Sequence, residues 1–418
     1  MSSGRFFYVE ALKDILEAKL SLSNIKNNVI ENDKAFFNML FMTTLRNLTF
    51  IKNEVLPQFV KKKIQKKQEI LEYVLYLGAV EILFLKTPSY AVINSYVEIA
   101  KKKTDKFGAN FVNAVLRNID RKKDEILENR KSGYFSKNFI DILKKDYTDN
   151  EIKQIEEYVN IEPMLDLTYK KDVIPNTDKG IKLYDDSLKL PSSTKVEDIE
   201  GFRKGDFWVQ DLSSSMAVRA MRDNLENLKV LDLCAAPGGK TAQLLSKGAN
   251  VVAVDIAEDR LEILKENMKR LNLENNLSIV CTNALEFNWD EKFDIVLVDA
   301  PCSATGTYRR HPEIIHTKTP KDVKKMADLQ IKILQHAKSF LNNNGFLVYA
   351  TCSLAKDEGE RVIERFLSLN DNFIISKIKI KKMEQSITKE GFLRILPYHL
   401  KDFFGTDGFF VACLQRKN

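Results

Sequence analysis

Two thiols in this chain stand where short apolar runs give out. Phe293–Val298 leads into Asp299-Ala300-Pro301-Cys302-Ser303, and Phe346–Tyr349 leads into Ala350-Thr351-Cys352-Ser353. If both runs are strands, two sulfurs and the Asp299 carboxylate sit at neighbouring strand tips. A free thiol, with a pKa of about 8.5, is only a few per cent ionised at neutral pH, so a nucleophilic site must lower that value or supply a base. A second stretch supplies a partner for them. In Val230 to Thr241 an apolar run stops at Pro237-Gly238-Gly239 and a helical pattern begins, which reads as strand, tight turn and helix. Gly238 and Gly239 let a ligand approach the backbone, and the helix start leaves N–H groups unpaired.

The next run, Asn250–Asp255, ends in a carboxylate placed to accept both hydroxyls of a ribose. Two nucleotide sites are excluded by spacing. A P-loop needs glycine where Cys234 stands, and no G-x-G-x-x-G is present. What fits is an adenosine ligand without a phosphate chain, and S-adenosylmethionine meets that description. A thiol beside a methyl donor points to C5 of a pyrimidine, which is too weak a nucleophile to attack a sulfonium unaided. Thiolate addition at C6 makes C5 enamine-like, and after methyl transfer, loss of the C5 proton and β-elimination restore the ring. Asp299 would hold the base at N3 and the exocyclic amine, ideally in its protonated form.

The elements that must position these groups alternate. Strands at 229–233, 250–254, 277–280, 293–298 and 346–349 are separated by helical patterns, and Leu261, Leu264, Met268 and Leu271 mark one face of a helix over Asp259–Asn272. The alternation predicts a doubly wound α/β domain over 206–418, with ligands at the carboxyl ends of its strands. Residues 1–145 carry helical spacing throughout, including Ile70–Leu85, Ala91–Lys101 and Ala109–Ile119, and predict an all-α domain with connecting helices. Between them, strand-like Glu162–Tyr169 and Ile181–Tyr184 predict a small α+β module over 146–205.

Charge is divided the same way. The 418 residues carry a net +7, yet residues 1–150 hold 26 Lys+Arg against 18 Asp+Glu and the remainder is slightly acidic. Lys61-Lys62-Lys63 with Lys66-Lys67, and Lys101-Lys102-Lys103 with Lys106, form basic clusters suited to nucleic acid phosphates. Five scattered cysteines without C-x-x-C spacing, and only four histidines, argue against a disulfide framework and against a metal site. With no membrane-length apolar run and no signal-peptide core after Met1, a cytoplasmic chain is expected.

Asp232-Leu-Cys-Ala-Ala-Pro-Gly-Gly-Lys-Thr241, Asp299-Ala-Pro-Cys-Ser303 and Thr351-Cys-Ser353 resemble the RNA cytosine-5 methyltransferases of the Nol/Nop/Sun family. So do Gln210-Asp-Leu-Ser-Ser214, Arg309-Arg-His-Pro312 and Asp407-Gly-Phe-Phe410. Asn110-Phe-Val-Asn-Ala-Val-Leu-Arg117 is similar to the NusB-like domain fused to bacterial 16S ribosomal RNA methyltransferases. The resemblance implies an all-α NusB-like RNA-binding domain followed by a Rossmann-like class I S-adenosylmethionine-dependent methyltransferase domain. It implies that Cys234, Ala235, Ala236, Pro237, Gly238, Gly239, Lys240, Asp255 and Asp299 contact the cofactor. Cys352 would be the nucleophile, and Cys302 would assist release of the methylated RNA. Where the family often carries an acid facing the adenine, this chain has Asn283, which can still hydrogen-bond an adenine edge. Arg309, Arg310 and His311 would meet RNA phosphate or a stacked base. The implied substrate is a cytosine of 16S rRNA in an exposed hairpin, because leaving the stack costs least there. A monomer is expected. The catalytic motifs leave tRNA or 23S rRNA open as targets, and a non-catalytic RNA-binding assembly factor is the reading of another class. A DNA enzyme would use Cys302, after Pro301, as its nucleophile.

Overall fold

Helical spacing in the first third of the chain becomes helices packed on one apolar core. Ile70–Phe84, Ser89–Lys103 and Lys106–Arg121 bury Val74, Leu77, Tyr96, Val112 and Leu116 against Ser2–Leu16 and Lys34–Phe50. The run 70–84 is one helix, and Gly78 inside it lets the neighbouring helix close in, since a Cβ there would stand 2.9 Å from Leu116 Cδ1. This core also buries a carboxylate. Glu81 takes Arg5 Nη2 at 2.6 Å, Arg5 Nε at 3.1 Å and the Tyr96 hydroxyl at 3.1 Å, so its charge is paired and hydrogen-bonded. The lysines of the two basic clusters are exposed, and Lys101, Lys102 and Lys103 occupy the last turn of their helix, where they also complement its dipole.

The computed structural model describes residues 2–418 except 27, 28, 30–32, 132, 171, 172, 174–179 and 223. It divides into two units, Met1–Asp141 with His311–Lys318, and Ile142–Arg310 with Thr319–Asn418. Among the described residues the first unit has no strand. Its added segment is anchored within it by His316 Nε2 on Leu45 O at 2.6 Å and by the Ser136 hydroxyl on Ile315 O.

In the second unit β1 (Leu165–Tyr169), β2 (Ser187–Leu190) and β3 (Phe207–Val209) make a small antiparallel sheet in the order β2-β1-β3. Ile181–Tyr184, expected as a strand, contributes only an isolated bridge from Ile181 to Lys189, because the Ser187 hydroxyl draws the Tyr184 N–H into a turn at 2.9 Å.

The large sheet contains β4 (Lys229–Leu233), β5 (Asn250–Asp255), β6 (Leu277–Cys281), β7 (Phe293–Asp299), β8 (Leu341–Thr351), β9 (Phe373–Ile375), β10 (Leu393–Ile395) and β11 (Phe409–Arg416). Its order is β10-β11-β8-β7-β4-β5-β6, with β9 on β11; β6 to β8 are parallel and the strands beyond β8 antiparallel. Alternate residues enter separate cores. Val230, Val251, Ile295 and Val348 face one layer, and Leu231, Val252, Val296 and Leu347 the other, so the central strands are apolar on both faces. From β4 the chain moves outward through β5 and β6, then returns to the other side of β4 as β7. That reversal opens a crevice at the carboxyl ends of β4 and β7. The proposed cofactor turn follows β4, and Asp299 ends β7.

Candidate active site

The turn after β4 is tied to its neighbour before it reaches the helix Gly239–Ser246. Ala235 N–H donates to Val254 O at 3.0 Å, and Gly238 N–H to Ala235 O at 2.9 Å. Gly238 has φ +101°, and a Cβ on it would lie 2.8 Å from Leu264 Cγ, so the turn needs glycine there on two counts. At Gly239 a Cβ would meet only ordinary contacts with Gln210 at 3.6 Å; its absence leaves room beside the helix start. Asp255, buried at the tip of β5, accepts the Ala236 N–H and the Ala257 N–H at 3.0 Å each, and Arg260 reaches Ala236 O. Thus Asp255 shapes the turn as well as facing the crevice.

Negative charge gathers here. Asp232 is fully buried, takes the Thr241 hydroxyl on Oδ2 at 2.7 Å, and leaves Oδ1 without a hydrogen-bond partner. Burial pushes it up to about 7, with the charges of Asp299 and Asp255 adding to the rise. Burial, with the Asp299 and Asp255 carboxylates, likewise pushes the Cys234 thiol up to about 12, which disfavours its thiolate. Three carboxylates, one with an orphaned buried oxygen, suit a ligand bearing cationic and N–H groups, and S-adenosylmethionine carries both a sulfonium and an ammonium. Asn283 sits beyond β6 with Oδ1 accepting the Leu285 N–H at 3.0 Å, which fixes its turn and keeps the amide partly exposed.

Asp299 is met by a cation. Lys240 Nζ lies 2.6 Å from Asp299 Oδ2 and 2.9 Å from Ser214 Oγ, and its ammonium stands 5.3 Å from the centre of the Phe409 ring. The contact is an ion pair, and it leaves Asp299 Oδ1 outside that contact.

The register of β7 on β8 pairs Asp299 with Ala350, and the two chains leave the sheet together. Cys302, three residues past Asp299, and Cys352, two past Ala350, therefore meet with their sulfurs 3.3 Å apart. Their environments differ in effect: the hydrogen bond with Cys352, then burial, hold the Cys302 thiol well above the ordinary range. The two sulfurs share this contact, and either can be its donor. Behind the thiols Gly306 N–H donates to Cys352 O and Gly408 N–H to Gly306 O, each at 2.9 Å.

The arginines expected to meet RNA make contacts within the second unit. Arg309 is 1% exposed and donates to Phe404 O at 2.7 Å. Arg310 bridges three carboxylates, Asp211 at 2.8 Å, Asp166 at 3.1 Å and Asp407 at 3.2 Å. Burial raises Asp407 to about 7 and Asp166 to about 6. Burial also pushes Asp211 upward, but Arg310 and Lys189 outweigh it and hold that group well below the carboxylate range. Arg310 thereby ties β1, the cap of the helix Leu212–Arg219 and the Asp407 loop together, while its side chain stays partly exposed. His311 lies in the first unit, 3.6 Å from Glu313.

Sequence reasoning missed Glu358 and Arg394. Glu358 is fully buried under the two cysteine loops, and Arg394 holds Ser353 O at 2.5 Å while pairing with Glu360. Neither carries a local signal, since both stand among residues that read as a solvated charge run or an ordinary strand.

A family model described as 16S rRNA methyltransferase RsmB/F matches residues 220–415, and the NusB family model matches residues 5–121. The ribosomal RNA small subunit methyltransferase B of Proteus mirabilis (strain HI4320) is 32% identical over 389 residues, covering 87% of this chain and 91% of the relative. That of Yersinia pseudotuberculosis serotype O:1b (strain IP 31758) is 31% identical over 436 residues, covering 99% and 98%. Among solved structures, PH0851 superposes with a TM-score of 0.70 at 21% identity over 93% of this chain and 91% of its own. NSun6 from Pyrococcus horikoshii, solved with SFG, gives 0.59 at 20% identity over 68% and 99%. At these identities the structures show a shared fold.

Proposed function

This chain belongs to the family of the 16S rRNA methyltransferases RsmB/F, S-adenosylmethionine-dependent enzymes that methylate ribosomal RNA, and from that premise we propose that it methylates C5 of a cytosine in 16S rRNA through a covalent adduct with Cys352. The observation that carries this reading is the 3.3 Å approach of the Cys302 and Cys352 sulfurs beside the Asp299–Lys240 pair. Cys234 to Lys240, Asp255, Asn283 and Asp299 would hold the cofactor, which when bound supplies an electrophilic methyl group. Asp299, as acceptor, takes the exocyclic amine of the cytosine. Cys352, its thiol proton passing to water, adds through Sγ to C6, and the new C–S bond places the electron pair at C5 that receives the methyl. The C5 proton then passes to water, and the C5–H electron pair expels the sulfur from C6. Cys302, held as a thiol, donates its S–H to the departing Cys352 sulfur and so favours release.

Both thiols, Asp299 and the cofactor turn come from one chain, which supports action as a monomer. The exposed lysines of the helical unit supply sequence-independent affinity for phosphates, and an exposed hairpin is the substrate from which a cytosine is most cheaply turned out. No described helix is long and apolar enough to cross a membrane, and a ribosomal RNA substrate supports action in the cytoplasm. Bisulfite sequencing of 16S rRNA from cells with and without the protein identifies the target base; an unchanged 16S pattern beside a changed tRNA or 23S pattern moves the target. Cys352→Ala should abolish methyl transfer and any adduct. Cys302→Ala should accumulate a protein–RNA adduct that survives denaturing electrophoresis. The opposite pattern exchanges the two roles.

A further inference from the structure

Glu358 is 0% exposed, and both of its oxygens are used on behalf of the thiols. Oε1 accepts the Ser303 N–H at 2.7 Å and Gln330 Nε2 at 3.2 Å. Oε2 accepts the Ser353 hydroxyl at 2.6 Å and the Ser303 hydroxyl. Ser303 directly follows Cys302, and Ser353 directly follows Cys352. The backbone of the same residue is held from β8, where the Tyr349 and Thr351 hydroxyls donate to Glu358 O at 2.8 and 3.1 Å. Gln330 also fixes the first loop by donating to Pro301 O at 2.9 Å, and Thr305 Oγ1 accepts the Leu354 N–H at 2.9 Å. A carboxyl group placed in a dry core is unfavourable unless its lone pairs are filled. Here four donors fill them, and three come from the two serines.

We propose that Glu358 is the positioning residue of the thiol pair, setting the separation of Cys302 and Cys352 by gripping the residue that follows each. The proposal rests on the reading of those cysteines as the acting thiols. No other buried carboxyl among the described residues bonds to both loops. An acceptor-only group suits the task, because it takes a backbone N–H and two hydroxyls at once without asking any of them to reverse. Its charge has a second effect, adding to the hydrogen bond and burial that keep Cys302 protonated. One side chain thereby governs where the thiols stand and adds to the rise of the Cys302 thiol.

The test uses the full chain. Glu358→Ala should slow single-turnover methyl transfer by about ten-fold or more, since small misplacement of reacting groups is costly, while cofactor affinity and the KM for RNA stay within about two-fold. Glu358→Gln keeps an acceptor for the Ser303 N–H and should recover transfer to within about three-fold of the parent, because the hydroxyls can turn to accept from its amide. With no RNA or cofactor present, iodoacetamide labelling of Cys302, followed by mass spectrometry across pH, should move to lower pH in Glu358→Gln, a shift that a merely structural role does not produce. A folded Glu358→Ala chain with the parent's transfer rate overturns the proposal, as does an unmoved labelling profile in Glu358→Gln. If Glu358→Ala fails to fold, Ser303→Ala and Ser353→Ala decide: slowed transfer at unchanged cofactor affinity supports the proposal, and parental rates in both overturn it. A parent chain that methylates no cytosine fails the proposed function instead, and the labelling comparison still reads the grip.

Discussion

Replacing Gly306 by alanine should damage catalysis more than stability. A Cβ at this position would lie 2.1 Å from Gly408 O, 2.7 Å from Gly408 C and 2.9 Å from Cys352 O. All three are backbone atoms, so no side chain can swing aside. Carbon and its neighbours rest at about 3.5 Å, which means that one loop must retreat by roughly 1 Å or more. Either the Asp407–Phe410 loop withdraws or the Cys302 loop does, and both movements strain the two 2.9 Å hydrogen bonds that join Gly306 to Cys352 and Gly408. Overpacking of this kind costs about 1–3 kcal/mol of stability. In a unit of this size that corresponds to roughly 2–10 °C in melting temperature. A displacement of about 1 Å at a reacting group, by contrast, can lower a rate by about a hundred-fold. The assay is single-turnover transfer of labelled methyl from S-adenosylmethionine to a 16S rRNA fragment, beside calorimetric cofactor binding and thermal unfolding. Gly239→Ala is the internal comparison: its Cβ meets only ordinary contacts with Gln210 at 3.6 Å, so it should unfold like the parent yet bind cofactor more weakly. A folded Gly306→Ala chain that transfers methyl groups at the parental rate would refute the inference that the Gly306–Gly408 contact sets the thiols.

Other outcomes follow from individual groups. Asp255→Ala removes the acceptor of two backbone N–H groups and of the proposed ribose, so cofactor affinity should fall about ten-fold or more by calorimetry, and unchanged affinity would place the ribose elsewhere. Arg310→Ala leaves Asp166, Asp211 and Asp407 facing one another and should cost about 3 kcal/mol in urea unfolding, more at pH 8 than at pH 5, because carboxyls raised in the folded state stabilise it at low pH and lose that contribution as pH rises through about 7. A loss of equal size at both pH values counts against the shared-charge account. His316 runs the other way. Burial, with Lys52 nearby, depresses it from 6.5 to about 4, so its contribution is present above 6.5 and falls by about 3 kcal/mol as pH drops through 4. His316→Gln should flatten that slope in hydrogen exchange of the helical unit, and an unaltered slope would assign it to another group.

The parts of the site that were legible in the sequence lie where an apolar strand gives way to polar chemistry. Asp255, Asp299 and the turn at Gly238 could be read because each ends a run whose alternation or length already marks it as a strand. The thiols could be read as neighbours once those runs were taken as adjacent strands. What sequence could not show is pairing across distance. Arg310 finds its counter-charges 97, 99 and 144 residues away, so in its own loop it looks like a solvated or phosphate-facing arginine. Glu358 lies in Lys356-Asp357-Glu358-Gly359-Glu360, which has the composition of a surface turn, and its serine partner after Cys302 is 55 residues distant. Ile181–Tyr184 had the residue types of a strand, but the turn bonded to Ser187 claimed it.

The eight-residue segment His311–Lys318 belongs to the helical unit although the sequence reaches it only after four of the eight strands of the large sheet. During synthesis the helices up to Asp141 therefore emerge long before the piece that fills out their unit. At about 5–20 residues per second the delay is on the order of ten seconds or more. Over that interval the Leu45 carbonyl lacks the imidazole that later meets it, and the bed of Ile314 and Ile315 lies open. The helical unit can reach its final form only once β4 to β7 have left the ribosome. A chain cut after Asp141 would keep that unfilled state permanently, so the helical unit is by construction completed late, after Cys302 has been made and before Cys352.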